Sequence, residues 1–262
     1  MTELLKFSSV GQGIPIVLLH GWGLNSAIWQ PLAEQLQSEV RVISISLPGF
    51  GDNFERTVEP YSLANVSELI VNTINQPAIY LGWSLGGLIA THIALSCPEK
   101  VLGLVTVASS PYFVAEDSWA GIDRKVLSLF HRQLSTDTRK TIDNFLKIQA
   151  MGSVSVRDDI KHIRDLVMQY NLPTQQTLTD SLLILEKVDL RHQLKEISVP
   201  FLRMYGKLDG LVPKKVVPLI STLAPKSEEV MFERASHAPF ISDPDAFLDE
   251  LKLWLKENYG AA

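Results

Sequence analysis

This sequence has little cysteine, lacks long apolar runs and has no large excess of charge of either sign. Its 262 residues include one cysteine, Cys97, which excludes an intramolecular disulfide framework and is typical of a reducing compartment, so we expect a cytoplasmic protein. The longest apolar stretches, such as residues 101–108, are far shorter than the roughly 20 residues that cross a bilayer. The first ten residues lack the apolar run of a signal peptide. We therefore expect neither export nor membrane insertion.

The formal net charge of −5 and a pI of about 5.7 provide no electrostatic reason to expect nucleic acid as a partner. No cluster of ligands with zinc-like spacing and no P-loop pattern is visible, so we expect neither a metal nor an organic cofactor. With 46% hydrophobic residues, the chain is long enough for one large globular unit or a core domain with an insertion.

Short β-branched runs alternate with segments of helical periodicity, which predicts an α/β fold with a mostly parallel central sheet flanked by helices. We predict strands at residues 14–19, 40–46, 78–81, 102–107, 200–205 and 229–232, with a weaker one at 5–8. Between residues 112 and 190 the strands stop, and amphipathic helices are predicted at 126–134, 138–150, 156–170 and 175–186. The sequence thus predicts a core of residues 1–111 and 191–262 that carries an inserted helical cap, residues 112–190.

The strongest motif is a G-x-S-x-G pattern at residues 82–86, directly after a predicted strand and before a predicted helix. That context is typical of the nucleophile turn of the α/β-hydrolase fold, with Ser84 as the nucleophile. The alternative is a Gly-Ser turn without chemistry, so the partners of Ser84 decide the interpretation.

A serine nucleophile needs a general base, usually histidine. This fold orders its triad as serine, acid, histidine along the chain. Of the six histidines, His237 fits that order after the last predicted strand, whereas His20 precedes Ser84. The remaining four lie in or at the ends of predicted helices, where a packed or solvated imidazole is the simpler interpretation: His92, His131, His162 and His192.

The base in turn needs a carboxylate to hold its tautomer, and we predict Asp209, in the loop after strand 200–205. Its alternative role is that of an aspartate in an Asp-Gly turn. Asp243 and Asp245 flank Pro244 and are predicted to begin the last helix instead. For the oxyanion, the fold supplies the backbone amide of Leu85 and one from the turn at residues 20–23, which points to Trp22.

Four motifs closely resemble the BioH family, the pimeloyl-[acyl-carrier protein] methyl ester esterases: residues 20–25, 47–51, 82–87 and 206–213. The likeness extends through residues 105–111, 145–152 and 236–242, and so covers nearly the whole chain. The resemblance implies hydrolysis of the methyl ester of a pimeloyl chain on acyl-carrier protein, which releases methanol and a free carboxylate in biotin synthesis.

The resemblance also implies roles for individual residues of the cap. A substrate site is expected from Trp22, Ser84, Leu85, Phe145, Leu146, Lys147, Ile148, Gln149 and His237. Docking of the acidic carrier protein is expected at Lys140, Arg157 and Lys161, whereas Asn144 stands where the family pattern has a further basic residue. Residues 122–170 contain nine Lys or Arg and six Asp or Glu, a local positive excess in an acidic chain. A solvated helical face is the alternative interpretation.

Other functions remain open from the residues alone. The same triad serves broad-specificity short-chain esterases, and the fold does not choose between substrates. A non-catalytic binding protein is disfavoured by the complete serine, acid and histidine set. Dehalogenase chemistry is disfavoured because Ser84 occupies the position where that relative has an aspartate. We expect the protein to act as a monomer.

Overall fold

The chain forms a central seven-stranded sheet, in a computed structural model that describes residues 3–150 and 156–260, apart from the side chains of Ile148 and Ala150. The strands are β1 Phe7–Val10, β2 Pro15–Leu19, β3 Arg41–Ile45, β4 Ala78–Trp83, β5 Val101–Val107, β6 Phe201–Gly206 and β7 Glu228–Phe232. Their order is β1-β3-β2-β4-β5-β6-β7. Only β1 pairs antiparallel, with β3, and the other pairs are parallel. The predicted fold class is confirmed, and each strand end lies within two residues of its prediction.

Helices cover both faces of the sheet. They are α1 Gln30–Leu36, α2 Leu63–Ile74, α3 Leu85–Ser96, α4 Arg124–Leu134, α5 Thr138–Ala150, α6 Val156–Val167, α7 Gln175–Lys187, α8 Val217–Leu223, α9 Pro239–Ser242 and α10 Pro244–Tyr259. Successive side chains of a strand point to opposite faces. In β2, accordingly, Val17 and Leu19 belong to one apolar cluster, and Ile16 and Leu18 belong to the other. None of the described helices is long and apolar enough to cross a membrane.

The parallel register brings the carboxyl ends of β2, β4, β6 and β7 to one edge of the sheet. Leu19 at the end of β2 is level with Gly82 in β4, and Gly206 at the end of β6 is level with Phe232 in β7. The loops that follow these strands contain the four predicted groups: the turn at residues 20–23, Ser84, Asp209 and His237. The topology therefore places them on the same side of the sheet.

Between β5 and β6 the described residues form the four helices α4 to α7. Helix α6 ends at Val167, three residues before the predicted end. The Asn25 side-chain amide donates to the Val167 carbonyl at 2.9 Å, so a residue of the core caps this helix end. Pro173 follows six residues later and disfavours further helical turns. The tertiary contact thus ends a helix that periodicity alone extended to Tyr170.

Candidate active site

Ser84 lies in a strained turn between β4 and α3. Its φ of 55° and ψ of −115° are rare for a residue with a side chain and mark a turn that the surrounding structure imposes. The two flanking glycines are sterically required. A Cβ on Gly82 would lie 2.1 Å from the carbonyl oxygen of Gly86, and one on Gly86 would lie 2.3 Å from that of Leu19. The glycines of the predicted motif therefore permit the close backbone packing that presents Ser84 at the sheet edge.

The backbone of Ser84 is anchored to β5 and to the residues directly after it. The Ser84 amide donates to the Val107 carbonyl at 2.9 Å. The Ser109 hydroxyl donates to the Ser84 carbonyl at 2.8 Å. Ser109 was not predicted as a site residue, although it lies just beyond a strand end and within the family-like segment 105–111. These bonds hold the strained turn from its outer side.

Asp209 and His237 form a buried hydrogen-bonded pair. His237 Nδ1 lies 2.8 Å from Asp209 Oδ2, and the two side chains are 1% and 0% exposed. The other carboxylate oxygen, Oδ1, accepts from the amides of Leu211 at 2.7 Å and Val212 at 3.0 Å. An ionised carboxylate only accepts, so Nδ1 of His237 carries the proton and Nε2 is left as the basic nitrogen.

The main chain of His237 is held from two directions. The Trp83 indole donates to the His237 carbonyl at 2.7 Å. The His237 amide and the Ser236 hydroxyl donate to the Gln149 carbonyl, at 3.3 Å and 3.1 Å. Trp83 and the end of α5 therefore both hold His237, the predicted base, in place. Neither contact was predicted, because the partners are far apart in sequence and only the strand order brings them together.

His237 Nε2 is buried and has no hydrogen-bond partner among the described residues. Ser84 is 2% exposed, and the Trp83 and His237 rings approach within 5.7 Å between centroids, so the base lies beside the nucleophile turn. Hydrogen bonds between catalytic groups in a free enzyme are often long and shorten when substrate binds. The described geometry therefore leaves Nε2 of His237 unbonded, on a ring that contacts Trp83, the residue before Ser84.

The two predicted oxyanion donors, the amides of Leu85 and Trp22, belong to segments that adjoin Ser84. Leu85 is the first residue of α3, and the first amides of a helix have no intrahelical acceptor. The turn at residues 20–23 lies against the nucleophile, since a Cβ on Gly21 would be 3.4 Å from Ser84 Cβ. The Trp22 side chain is buried and donates to the Leu178 carbonyl of α7 at 3.0 Å. The indole N–H is thus already bonded to α7, so any donation by Trp22 to an oxyanion would come from its backbone amide.

The residues predicted to line an acyl channel divide between two faces of α5. Phe145 and Leu146 are buried, and the Phe145 ring contacts the Trp22 ring at 4.8 Å between centroids. Gln149 is fully buried, and neither atom of its side-chain amide has a partner among the described residues. The exposed Lys147 instead donates to Asn144 Oδ1 at 3.4 Å, so the structure does not bring it to the site. The side chain of Ile148, together with Met151 and Gly152 of the family-like segment, lies outside the described residues.

The predicted docking cations lie on the outer surface of α5 and α6, two helices that pack against each other. Lys140, Arg157 and Lys161 are exposed. Within residues 3–150 and 156–260, none of the three forms an ion pair with a carboxylate. Their charges are therefore available to an acidic partner.

One histidine and two aspartates were weighed against His237 and Asp209 in the sequence analysis, and each has a different structural role. His20 is fully buried, and both of its ring nitrogens are already bonded to backbone groups. Asp243 is the N-cap residue of α10 and Asp245 lies in its first turn. The helical position predicted for this acidic pair is thus confirmed.

Comparisons with known proteins agree with this geometry. Residues 14–244 match the family model of the alpha/beta hydrolase fold. An esterase from Exiguobacterium antarcticum superposes with a TM-score of 0.85 at 22% identity, covering 96% of this chain and 95% of that one. A thermophilic esterase from Thermogutta terrifontis superposes with a TM-score of 0.83 at 22% identity, covering 97% and 94%. At that identity the likeness shows the fold alone.

Curated relatives are much more similar in sequence. The pimeloyl-[acyl-carrier protein] methyl ester esterase of Aliivibrio fischeri strain MJ11 is 45% identical over 98% of this chain and 100% of its own length. The protein of the same name from Vibrio cholerae is 46% identical over 96% of this chain and 98% of its own. The family match over residues 14–244 and this full-length similarity show that the chain belongs to the α/β-hydrolase family and, within it, to the pimeloyl-[acyl-carrier protein] methyl ester esterases.

Proposed function

We propose that this protein hydrolyses the methyl ester of pimeloyl-acyl-carrier protein, as a step of biotin synthesis in the cytoplasm, with Ser84, His237 and Asp209 as the catalytic triad. The observation that carries the proposal is the buried His237–Asp209 pair, whose imidazole ring contacts Trp83, the residue before Ser84. It occurs in a chain that is 45% identical to a pimeloyl-[acyl-carrier protein] methyl ester esterase over nearly its whole length.

The chemistry follows from the protonation states of the site. His237 Nε2 accepts the Ser84 hydroxyl proton as the serine oxygen attacks the ester carbonyl carbon. The amides of Trp22 and Leu85 donate to the resulting oxyanion, and Asp209 stays ionised to stabilise the imidazolium. When the tetrahedral intermediate collapses, His237 returns the proton to the departing methoxy oxygen and methanol leaves. Water then adds by the same route and releases the free carboxylate and Ser84.

We assign residues 112–190 to a cap and residues 1–111 and 191–262 to the hydrolase core. The run of helices α4 to α7 between β5 and β6 supports this division. Three contacts join the cap helices to loops of the core: Phe145 against Trp22, Trp22 to Leu178, and His237 to Gln149. The acyl chain would pass between the two parts. Phe145 and Leu146 supply apolar surface there, and the unpartnered amide of Gln149 supplies the polar group.

The carrier protein is the proposed partner of the exposed cations on α5 and α6. Lys140, Arg157 and Lys161 have no ion pairs within the described residues. An acidic carrier would therefore form ion pairs with them without breaking existing ones. Asn144 adds a neutral side chain to this surface. We propose that the enzyme meets the carrier as a monomer.

The test compares two substrates with the purified enzyme: methyl pimeloyl-acyl-carrier protein and a simple aryl ester. We expect kcat/KM to be much higher for the carrier substrate. Hydrolysis of the aryl ester without demethylation of the carrier substrate would contradict the proposal and favour a broad-specificity esterase instead.

Docking is tested with a matched pair of charge reversals. Arg157→Glu should raise KM for the carrier substrate by about tenfold, because the new carboxylate repels the acidic carrier that Arg157 attracts. KM for the aryl ester should not change. Lys226→Glu makes the same change of charge just before β7, at the opposite edge of the sheet. It should leave KM for both substrates unchanged. Equal effects of the two reversals would refute the assignment of this surface.

A further inference from the structure

His20 is a buried histidine that the proposed chemistry does not use. It is 0% exposed, and each ring nitrogen is bonded to a backbone group. Nδ1 lies 2.8 Å from the carbonyl oxygen of Gly21. Nε2 lies 2.9 Å from the amide nitrogen of Leu47. The ring thus connects the turn after β2 to the loop after β3.

These two contacts determine the tautomer of His20. A backbone amide only donates, so Nε2 accepts from Leu47 and is unprotonated. Nδ1 therefore carries the proton and donates to Gly21. Burial lowers the pKa of His20 from 6.5 to about 4, so the ring is neutral at pH 7 and keeps this tautomer. The Phe50 ring, 5.4 Å away between centroids, packs against its face.

The bond to Gly21 has a consequence at the next peptide unit. The Gly21–Trp22 peptide is trans, and a trans peptide places its carbonyl oxygen and its N–H on opposite sides. Holding the Gly21 oxygen therefore also orients the Trp22 N–H. The other bond to this oxygen, from the Leu24 amide, is 3.4 Å long, so the His20 bond is the shorter and stronger of the two.

The same peptide lies against the nucleophile turn. Gly21 approaches Ser84, as described above. A Cβ on Gly86 would meet the carbonyl oxygens of Leu19 and His20 at 2.3 Å and 2.7 Å, so the start of α3 packs on the backbone of residues 19–21. Glycines on both sides of Trp22 give this turn backbone freedom, which an anchor at Gly21 removes.

We propose that His20 is a positioning residue for the oxyanion step. Its Nδ1–H fixes the Gly21–Trp22 peptide so that the Trp22 amide is oriented for the tetrahedral intermediate before the substrate arrives. This inference rests on the proposed function, in which Trp22 is one of the two oxyanion donors. A donor oriented in advance needs no reorganisation during the reaction, which is the source of its catalytic effect.

Two isosteric variants separate the two bonds of His20. In His20→Asn the side-chain amide nitrogen takes the place of Nδ1 and keeps the bond to Gly21, whereas the acceptor for Leu47 is lost. In His20→Gln the longer side chain brings its oxygen to the place of Nε2 and keeps the bond from Leu47, whereas the donor to Gly21 is lost.

We expect His20→Gln to lower kcat on an aryl ester about tenfold to a hundredfold with little change in KM, somewhat less than removal of a whole oxyanion donor. Its affinity for a boronic acid, which mimics the tetrahedral intermediate, should fall by the same factor. His20→Asn should retain most of kcat and of that affinity. Folding of both variants is monitored by circular dichroism, and the rates refer to active enzyme titrated with a fluorophosphonate.

Three results would overturn the inference: an unchanged kcat in His20→Gln, an equal loss of kcat in both variants, or a loss confined to KM. A merely structural His20 would lower the stability of both variants without separating their kcat values. The aryl ester and the boronic acid do not depend on the carrier substrate. Failure to demethylate the carrier would therefore refute the proposed substrate and leave the test of His20 valid, whereas a wild-type enzyme without any esterase activity would refute both.

Discussion

Replacing His20 with Asn should flatten the pH dependence of the free energy of unfolding on the acid side of neutrality. Burial holds the pKa of His20 at about 4 in the folded protein, against 6.5 for an ordinary histidine. Between these values the unfolded chain binds a proton at His20 and the folded chain does not. Stability therefore falls as the pH decreases from about 6.5 to about 4.

The size of this effect follows from the same interval. A difference of one unit in pKa corresponds to about 1.36 kcal/mol. The difference of about 2.5 units therefore corresponds to about 3 kcal/mol in the free energy of unfolding. The His20→Asn variant cannot bind this proton, so its free energy of unfolding lacks this part of the pH dependence. At pH 7.5 the variant should be less stable than the wild type by about 1–3 kcal/mol, because the buried Leu47 amide loses its acceptor. At pH 4.5 this deficit should have vanished or reversed.

The assay is urea unfolding of both proteins at several pH values from 4.5 to 7.5, followed by tryptophan fluorescence. All other ionisable groups contribute alike to both curves, so the difference isolates His20. A stability difference that stays constant over the whole range would refute the argument. It would mean that His20 takes up its proton equally in the folded and unfolded chains.

Three further substitutions test the remaining geometry. Asp209→Asn should lower kcat about 10⁴-fold in steady-state assays with KM little changed, because the amide favours the wrong tautomer of His237; a loss below tenfold would contradict the triad. Trp83→Phe removes the indole bond to the His237 carbonyl and should cost about 1–3 kcal/mol in urea unfolding, with a lower kcat, whereas an unchanged kcat would show that this bond does not position the base. Gly86→Ala brings a methyl group to 2.3 Å from a backbone oxygen of β2 and should abolish labelling of Ser84 by a fluorophosphonate; full labelling would refute the steric argument.

Periodicity and motif order predict much of this fold because they are local properties of the chain. The alternation of apolar residues within each strand and the glycines around Ser84 identify the sheet and the nucleophile turn without any structure. The chain order of Ser84, Asp209 and His237 predicts the triad because parallel strands end at one edge. The bond between His237 and Asp209 at 2.8 Å agrees with that prediction.

The contacts that hold the site depend on strand order and are not visible in the sequence. Trp83 and His237 are 154 positions apart, and nothing local to either residue indicates that the indole meets that carbonyl. The end of α6 was predicted wrongly because Asn25, in the core, caps it. The sequence set His20 aside as a base by its place in the chain, and both of its ring nitrogens are bonded to backbone groups. Its bonds to Gly21 and Leu47 required the paired ends of β2 and β3.

Methanol release from methyl pimeloyl-acyl-carrier protein by the wild type and by Ser84→Ala shows whether Ser84 is the nucleophile, with carrier binding measured in parallel. We expect one methanol for each carrier-bound carboxylate that the wild type forms. The variant should bind the carrier with unchanged affinity and release methanol at least about 10⁴-fold more slowly. Turnover by Ser84→Ala at a rate near that of the wild type would contradict the assignment of Ser84 as the nucleophile.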